Sequence, residues 1–331
     1  MNPTIGVLIT YYNEGPLLRE CLDSAFAQGD RPDEVLVYDD ASDDPAERYI
    51  PSDMPVRVLR GAKNIGLGAA RNELLKESRS EFVHFQDADD LFDPRWCEQV
   101  RTVLRTTRVD LVLTEISSFL EGQILSEGMI GLARLATDTD FTRFAIEGII
   151  FSPTSTFRRE MGLRIGGFRT REILPLCEDF DFHIRLAATG ISYLVLPASL
   201  ISIRIRPESL SRSNGRLKTE CLLALLTAIR LTSAELPARY HPHLANAAAR
   251  FASQLFRAGA YPQAREAFTL AWRLGPPRFA WQRRWYRLVA RLLGPMTAER
   301  IGHYYHVYLP ARVRHQIARL RGAAAVLRNN P

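Results

Sequence analysis

Asp87 and Asp89 stand two residues apart directly after the apolar run at 82–85, so two carboxylates gather at the carboxyl end of a predicted buried strand. That end of an open α/β sheet is where ligands bind. Carboxylates buried there for packing alone would each need a partner. They suit a hard cation, since Mg²⁺ or Mn²⁺ takes one or two carboxylate oxygens and completes its shell with water and the oxygens of a diphosphate. A solvated acidic turn has the same local sequence, and only the rest of the chain separates the two readings.

Asp39 and Asp40 close the apolar run at 34–38 in the same way, and Thr10, Tyr12, Asn13 and Glu14 close the run at 5–10. Arg71 falls in the first turns of a predicted helix whose amino end favours anions, where a guanidinium can reach a phosphate. A surface arginine is the competing reading. Glu178, Asp179 and Asp181 open a further helical stretch, a place the helix dipole favours for carboxylates whether or not they do chemistry.

The elements that must position these groups follow from the hydrophobic pattern. A strand at 5–10 runs through a polar turn into a helix with Leu17, Leu18, Cys21, Leu22 and Ala25 at helical spacing. Strands at 34–38 and 56–59 come next, then a helix from the Gly66-x-Gly68 loop to about Lys76 or Ser78, then the strand at 82–85. Such alternation predicts a mostly parallel, Rossmann-like sheet, and right-handed crossovers put all three polar loops on one rim. Gly66 and Gly68 lack a third glycine and do not directly follow a strand, which excludes a dinucleotide fingerprint. Residues 115–139 are expected to be a loop that shapes a pocket.

The chain has 331 residues, 46% hydrophobic and 24% charged, which places it among ordinary globular proteins with room for two domains. Its start, Met1-Asn2-Pro3-Thr4, shows no basic region followed by an apolar one, and no apolar run nears the ~20 residues that cross a bilayer. A cytoplasmic chain is expected. Cys21, Cys97, Cys177 and Cys221 are spaced for neither zinc nor a disulfide framework, which predicts reduced, buried thiols. Charge divides unevenly: residues 1–215 hold 24 basic against 33 acidic side chains, and residues 216–331 hold 19 against 4. An acidic part suits a metal-dependent site, and a basic part suits an anionic surface.

From about Gly215 the pattern is all-helical, with amphipathic stretches at 217–231, 244–258 and 263–274 before Gly275-Pro276-Pro277. Ala252, Phe256, Gly259, Tyr261, Ala264, Phe268, Ala271 and Pro276 resemble one tetratricopeptide-type hairpin, too little for an array of about three repeats. Farther on, Arg283, Arg284, Trp285, Tyr286, Arg287, Leu288, Arg291 and Leu292, then Tyr304, Tyr305, Tyr308, Arg312 and Arg314, mix cations with aromatics and leucines. Peripheral contact with an anionic membrane and packing on the acidic N-terminal part are both consistent with this pattern. No reader motif accompanies the charge, so nucleic acid is not an expected partner. Trp281 and Trp285, at i and i+4, are expected to pack one helix face.

Four segments in order carry a resemblance. Thr10 with Tyr12-Asn13-Glu14, Asp39-Asp40-Ala41-Ser42, residues 64–72 (Asn-Ile-Gly-Leu-Gly-Ala-Ala-Arg-Asn) and Asp87-Ala88-Asp89-Asp90 together resemble the family 2 glycosyltransferases, of the glycosyltransferase A-type fold. Gly166-Gly167-Phe168, then Glu178-Asp179-Phe180-Asp181 and Arg185, extend the likeness over about the first 212 residues. It implies a catalytic nucleotide-sugar domain at 1–212 and a helical, basic domain at 213–331.

The same resemblance implies roles. Thr10, Tyr12, Glu14 and the Asp39-Asp40 pair would lie on the donor's base and ribose, with Asp39 nearest the base. Arg71 would touch the nucleotide or diphosphate, and Asp87 and Ala88 the ribose side. Asp89 would bind Mn²⁺ or Mg²⁺, Gly167 and Glu178 would face the acceptor, and Asp179 would be the general base, with Asp181 solvated or structural. A carboxylate within reach of the attacking hydroxyl can take its proton, so the chemistry fits the position. The implied enzyme is an inverting, metal-dependent hexosyltransferase, moving a sugar from a nucleotide-sugar, most simply a UDP-sugar, to a glycan or lipid-linked acceptor. Bacterial surface polysaccharide synthesis, in the cytoplasm or at the inner face of the cell membrane, is the implied setting.

The sequence departs from the family at 203–211, where Arg206 replaces the histidine of a tyrosine-arginine-x-histidine-proline segment. Arginine cannot ligate a cation and is permanently charged, so the metal would lose a ligand and the diphosphate would gain a partner. Trp281-Gln282-Arg283-Arg284-Trp285 is one residue short of the processive-synthase motif and lies too far along the chain, which favours a non-processive enzyme. Two other readings stay open, a sugar nucleotidyltransferase and a catalytically inactive glycan- or partner-binding domain. The first lacks a basic glycine-rich triphosphate loop, and the second is opposed by the retained Asp87, Asp89 and Asp179.

Overall fold

The computed structural model describes residues 2–137, 139–206 and 216–308. The expected boundary after residue 212, the segment Pro207 to Ser211, Arg312 and Arg314 lie outside the described residues, as do the side chains of Tyr305 and Tyr308. Two compact units divide between Leu244 and Ala245.

The first unit is built on nine strands: β1 (Ile5–Tyr11), β2 (Glu34–Asp39), β3 (Val56–Arg60), β4 (Phe82–Asp87), β5 (Leu91–Phe92), β6 (Leu111–Leu120), β7 (Gln123–Ser126), β8 (Ser155–Arg158) and β9 (Tyr193–Arg204). Their order is β3-β2-β1-β4-β8-β6-β9-β5, with β7 paired to β6. The expected strands form the parallel half, β3-β2-β1-β4. The other half is mixed: β8 runs antiparallel to β4 and β6, while β6 and β9 are parallel. Residues 115–139 are therefore not one loop, because β6 continues to Leu120 and turns into β7. Glu115 is buried, and its carboxylate accepts the amides of Ile130 and Leu132, which ties the following loop back onto the strand.

Among the described residues, seven α-helices cover this sheet or adjoin it: α1 (Leu17–Phe26), α2 (Leu67–Glu77), α3 (Trp96–Thr106), α4 (Phe141–Glu147), α5 (Arg159–Arg164), α6 (Glu178–Ala188) and α7 (Arg216–Glu235). In α1 Leu18, Cys21, Leu22 and Ala25 of the predicted face are buried, and Leu17 at its edge is half-buried. β1 is buried throughout, as a central strand covered on both faces should be. All four cysteines are free, but only Cys21 and Cys97 are buried; Cys177 and Cys221 are half-buried.

The chain order reverses at β1, whose neighbours are β2 on one side and β4 on the other. A crevice at the carboxyl ends of such strands is the ligand-binding position of an open sheet. The loops that begin at Thr10 and Asp87 meet there.

α8 (His241–Arg257) leads into the second unit, which holds α9 (Tyr261–Leu274), α10 (Arg284–Leu293) and α11 (Pro295–Tyr308). α8 and α9 turn at Gly259, with φ of +82°, and bury Ala252, Phe256, Ala264, Phe268 and Ala271. Trp281 does not share a helix face with Trp285. α10 starts at Arg284, and Trp281 sits in the preceding turn with its ring 5.7 Å from that of Phe279.

Candidate active site

Strand register sets the first row of the site. Thr10 is the partner of Asp87 across β1 and β4, and Tyr11 is the partner of Asp39 across β1 and β2. Glu14 lies close enough to Asp89 and Asp87 that burial, with those two charges, pushes its carboxyl up to about 7. Tyr12 is exposed, and its amide donates to Glu14.

Asp39 and Asp40 spend their oxygens on the protein itself. Asp39 is fully buried and accepts from the amides of Ser42 (2.8 Å) and Ala46 (3.0 Å) and from Arg60 Nη1 (2.7 Å). Asp40 accepts from the amides of Ile65 (2.7 Å) and Gly66 (2.9 Å). The second acidic turn thus clamps two loops of the rim, and Arg60, at the register position opposite Asp39, is a partner the sequence reading missed.

Arg71 occupies the centre. Its side chain is buried in α2, Nη2 donates to Asp87 Oδ1 at 2.9 Å, and Nη1 donates to Glu178 Oε1 at 2.7 Å. The guanidinium also lies over the Phe168 ring, 5.3 Å from its centroid. One cation thus ties the end of β4 to the start of α6, and its bond to Glu178 spans 107 positions of sequence. The competing reading of Arg71 as a surface arginine is excluded.

Asp179 follows Glu178 in the first turn of α6, half-buried, with Oδ1 accepting its neighbour Phe180's amide at 2.8 Å. Burial, reinforced by the Glu178 and Asp87 charges and opposed by Arg71, raises its carboxyl to about 7. A proton acceptor tuned near neutrality is what general-base chemistry requires. His183 fixes the helix beneath it: Nδ1 faces the Asp179 carbonyl at 2.8 Å and so carries the proton, leaving Nε2 to accept from Ser155 Oγ at 3.0 Å. Burial depresses the imidazole to about 4, so the ring is neutral.

The loop before α6 is shaped by packing. Gly167 has φ of +70°, and a Cβ there would stand 2.2 Å from Asn72 Oδ1. Asn72 uses that oxygen to accept the Phe168 amide at 2.7 Å and its Nδ2 to donate to the Phe168 carbonyl at 2.8 Å. Phe168 stacks on Phe182 with centroids 4.0 Å apart. Asp181 is buried and structural, which excludes the solvated alternative. It accepts Arg169 Nε at 2.9 Å and Arg185 Nε at 2.7 Å, and Arg185 in turn donates to the carbonyls of Ile165 and Gly167.

Ala88 is buried. Asp89 is paired with Arg206, Nη2 to Oδ2 at 2.7 Å, and burial with the Asp87 charge raises its carboxyl while Arg206 opposes this. Arg204 donates to the Asp89 carbonyl (2.9 Å), and its amide reaches Asp90 Oδ1 (2.8 Å), so β9 is stitched to the acidic turn. Among the described residues no group of three or more histidine, cysteine or carboxylate side chains is assembled for a metal. The donor set on hand, Asp89 with Asp87 nearby, fits a hard divalent cation that draws most of its ligands from phosphate and water. It does not fit a cation caged by protein.

Comparisons with known proteins bear on the family and the fold. Residues 6–162 match the sequence model described as Glycosyl transferase family 2. The chain is 31% identical over 237 residues to the putative glycosyltransferase EpsH of Bacillus subtilis, covering 67% of each chain. It is 28% identical over 258 residues to the succinoglycan biosynthesis protein ExoU of Rhizobium meliloti, covering 72% of this chain and 74% of that one. Of solved structures, S. aureus TarS 1–349 in complex with UDP-GlcNAc superposes with a TM-score of 0.53 at 18% identity, over 82% of this chain and 89% of that one. The mannosyltransferase PcManGT of Pyrobaculum calidifontis, in complex with GDP-Man and Mn²⁺, gives 0.56 at 20% identity, over 93% and 88%. At these identities the structural likeness concerns the fold, and the fold is the expected A-type sheet with helices after it.

Proposed function

The chain belongs to the family 2 glycosyltransferases, and from that premise we propose that it moves one sugar from a nucleotide-sugar donor to a hydroxyl of a glycan or lipid-linked acceptor, with inversion. A UDP-sugar is the donor we favour, and surface polysaccharide synthesis in the cytoplasm of a bacterium is the setting. Relatives named for glycosyl transfer and succinoglycan biosynthesis, and a neighbour crystallised with UDP-GlcNAc, support this reading. The observation that carries it is the Arg71 bridge, which ties Asp87, the carboxylate we assign to the donor, to Glu178, next to Asp179, the pair we assign to the acceptor.

In this mechanism the base and ribose lie along Thr10, Tyr12 and the turn held by Asp39 and Asp40. Glu178, fixed by Arg71, orients the acceptor hydroxyl, and the Gly167-Phe168 turn forms the wall beside it. Asp179 takes the hydroxyl proton as the acceptor oxygen bonds to the anomeric carbon. The bond from that carbon to the diphosphate oxygen breaks, and the nucleoside diphosphate leaves with the electron pair. Negative charge grows on the leaving group, where fixed positive charge is most effective. Arg206 supplies some of it. Asp89, with Asp87, would hold a divalent cation, which offsets charge on the diphosphate when bound.

The test is product analysis. The protein is incubated with a panel of nucleotide sugars, Mn²⁺ and candidate acceptors, and the released nucleotide is identified. Release of nucleoside diphosphate with an inverted glycosidic bond supports the proposal, pyrophosphate release would indicate nucleotidyl transfer, and no release with any donor would indicate a binding module.

A further inference from the structure

The second unit is cationic to a degree the catalytic chemistry does not use. Residues 245–331 contain 15 arginines and only two acidic residues, Glu266 and Glu299. Glu299 is buried and accepts the Tyr286 hydroxyl at 2.7 Å, which leaves Glu266 as the one acid at the surface of the described residues of this unit. By sequence, the acids of this unit are far too few to offset its arginines.

α10 concentrates the effect. Its sequence, Arg284-Trp-Tyr-Arg-Leu-Val-Ala-Arg-Leu-Leu293, buries Tyr286 and Ala290. The apolar arc of the helix is wider than that buried strip: Leu288, Leu292 and Leu293 are 60%, 71% and 65% exposed. Arg284, Arg287 and Arg291 repeat at i, i+3 and i+7, as Trp285, Leu288 and Leu292 do one residue later, so a cationic stripe runs beside an apolar one. Arg284 and Arg291 are exposed, and Arg287 is half-exposed. Trp281, before the helix, and Ile301 and Tyr304, on α11, add exposed apolar surface.

We propose that α10 lies flat on a bilayer surface rich in anionic lipid, with Leu288 and Leu292 inserted at the headgroup boundary and Arg284, Arg287 and Arg291 on the phosphates. Parallel apolar and cationic stripes are the signature of an interfacial helix. The helix is too short to span, since ten residues reach only ~15 Å against a ~30 Å core, and no described helix is long and apolar enough to cross a membrane. Competing occupants fit less well. The sequence at 309–331 adds five more arginines and no acid, so it would set like charge against like. A symmetric pairing with a second copy would place one arginine stripe against another. Nucleic acid offers phosphates but nothing for exposed leucines.

The full-length protein is tested by co-sedimentation with vesicles of phosphatidylcholine alone and of phosphatidylcholine mixed with phosphatidylglycerol. Binding to the mixed vesicles and not to the neutral ones is expected. Leu288→Ser with Leu292→Ser lowers the affinity on the order of tenfold, and each of Arg284→Ala and Arg291→Ala lowers it roughly fivefold. Unchanged circular dichroism and gel-filtration volume confirm that these exposed substitutions leave the fold intact. Failure to bind the anionic vesicles overturns the proposal, as does binding that the leucine pair does not alter. A dimer that the leucine substitutions dissociate would overturn it in favour of a subunit interface. Because binding is read without donor or turnover, its failure is separable from failure of the transfer reaction.

Discussion

Arg206 Nη2 lies 2.7 Å from Asp89 Oδ2, so the carboxylate with the best claim to a divalent cation already carries a cation from its own chain. A guanidinium and a metal compete for that oxygen, yet both favour the charge of a diphosphate. On the mechanism proposed above, Arg206 would exchange Asp89 for the diphosphate when the donor binds.

We predict that Arg206→Ala slows nucleoside diphosphate release by about 10²-fold, the scale for losing one fixed donor at a developing charge, while Mn²⁺ binds more tightly at the vacated Asp89. Titrating turnover against Mn²⁺ in both proteins checks this. Wild-type rates and an unchanged metal requirement in the variant would remove Arg206 from the leaving-group site.

For Asp179 the sign of the pH effect is fixed by the direction of its shift. Its carboxyl is raised to about 7, so the base is largely protonated at pH 6, and kcat/KM should rise through a midpoint near 7. Asp179→Asn should cost on the order of 10²–10⁴-fold in rate. Stability moves the other way. A folded-state value above the unfolded one means that Asp179 favours folding below pH 4 and that this contribution is lost as pH climbs to about 7. The Asn variant, which mimics the protonated acid, should melt higher than wild type at pH 8 and equally at pH 4. A lower Tm at pH 8 would contradict the electrostatic reading of this site.

Arg71 allows a sharper separation. Removing it by Arg71→Met leaves Glu178 and Asp87 facing each other without their cation, and loss of one partner of a buried pair costs about 3–5 kcal/mol. Arg71→Lys keeps the charge but cannot reach both carboxylates with a fork. The lysine variant is predicted to fold, to turn over more slowly, and to show its kcat/KM midpoint above the wild-type value, because Arg71 lowers the Asp179 proton affinity more than the Phe180 amide does. A pH profile superimposable on wild type would reduce Arg71 to a purely structural role.

How far the sequence led is clearest where local pattern sufficed. Apolar runs ending in Thr10, Tyr38 and Phe85 gave β1, β2 and β4, and helical spacing gave α1, α2 and the helices from α7 to α9. What stayed hidden depended on distant partners. β8 is four residues of mixed character, and only its insertion between β4 and β6 makes it a strand. Asp39 has the local sequence of a ligand carboxylate, and its burial against Arg60, Ser42 and Ala46 is a property of the folded rim. The Arg71 to Glu178 bond joins residues that no short-range rule connects. The resemblance named Arg71 for the nucleotide or diphosphate, but not its bond to Glu178, which joins β4 to α6 through one guanidinium.

The glycine of the turn before α6 provides the last prediction. Gly167 was expected beside the acceptor, and the structure gives a reason independent of any ligand: φ is +70°, and an added methyl would meet Asn72 Oδ1 at 2.2 Å. Asn72 cannot withdraw cheaply, since it pairs with both the amide and the carbonyl of Phe168. Gly167→Ala should therefore destabilise the protein by about 1–3 kcal/mol through strain at a left-handed position and shift Phe168, whose ring lies against Arg71 and Phe182. Because Phe168 supports the guanidinium that holds Glu178, turnover should fall more than donor affinity does. Calorimetry gives the stability change, and comparing kcat with donor KM gives the split. Gly166→Ala is the control: it lies at φ of +79° with open space around its Cβ, so it carries the backbone strain without the clash. Equal losses of turnover in the two variants would show that the contact with Asn72 is irrelevant to catalysis.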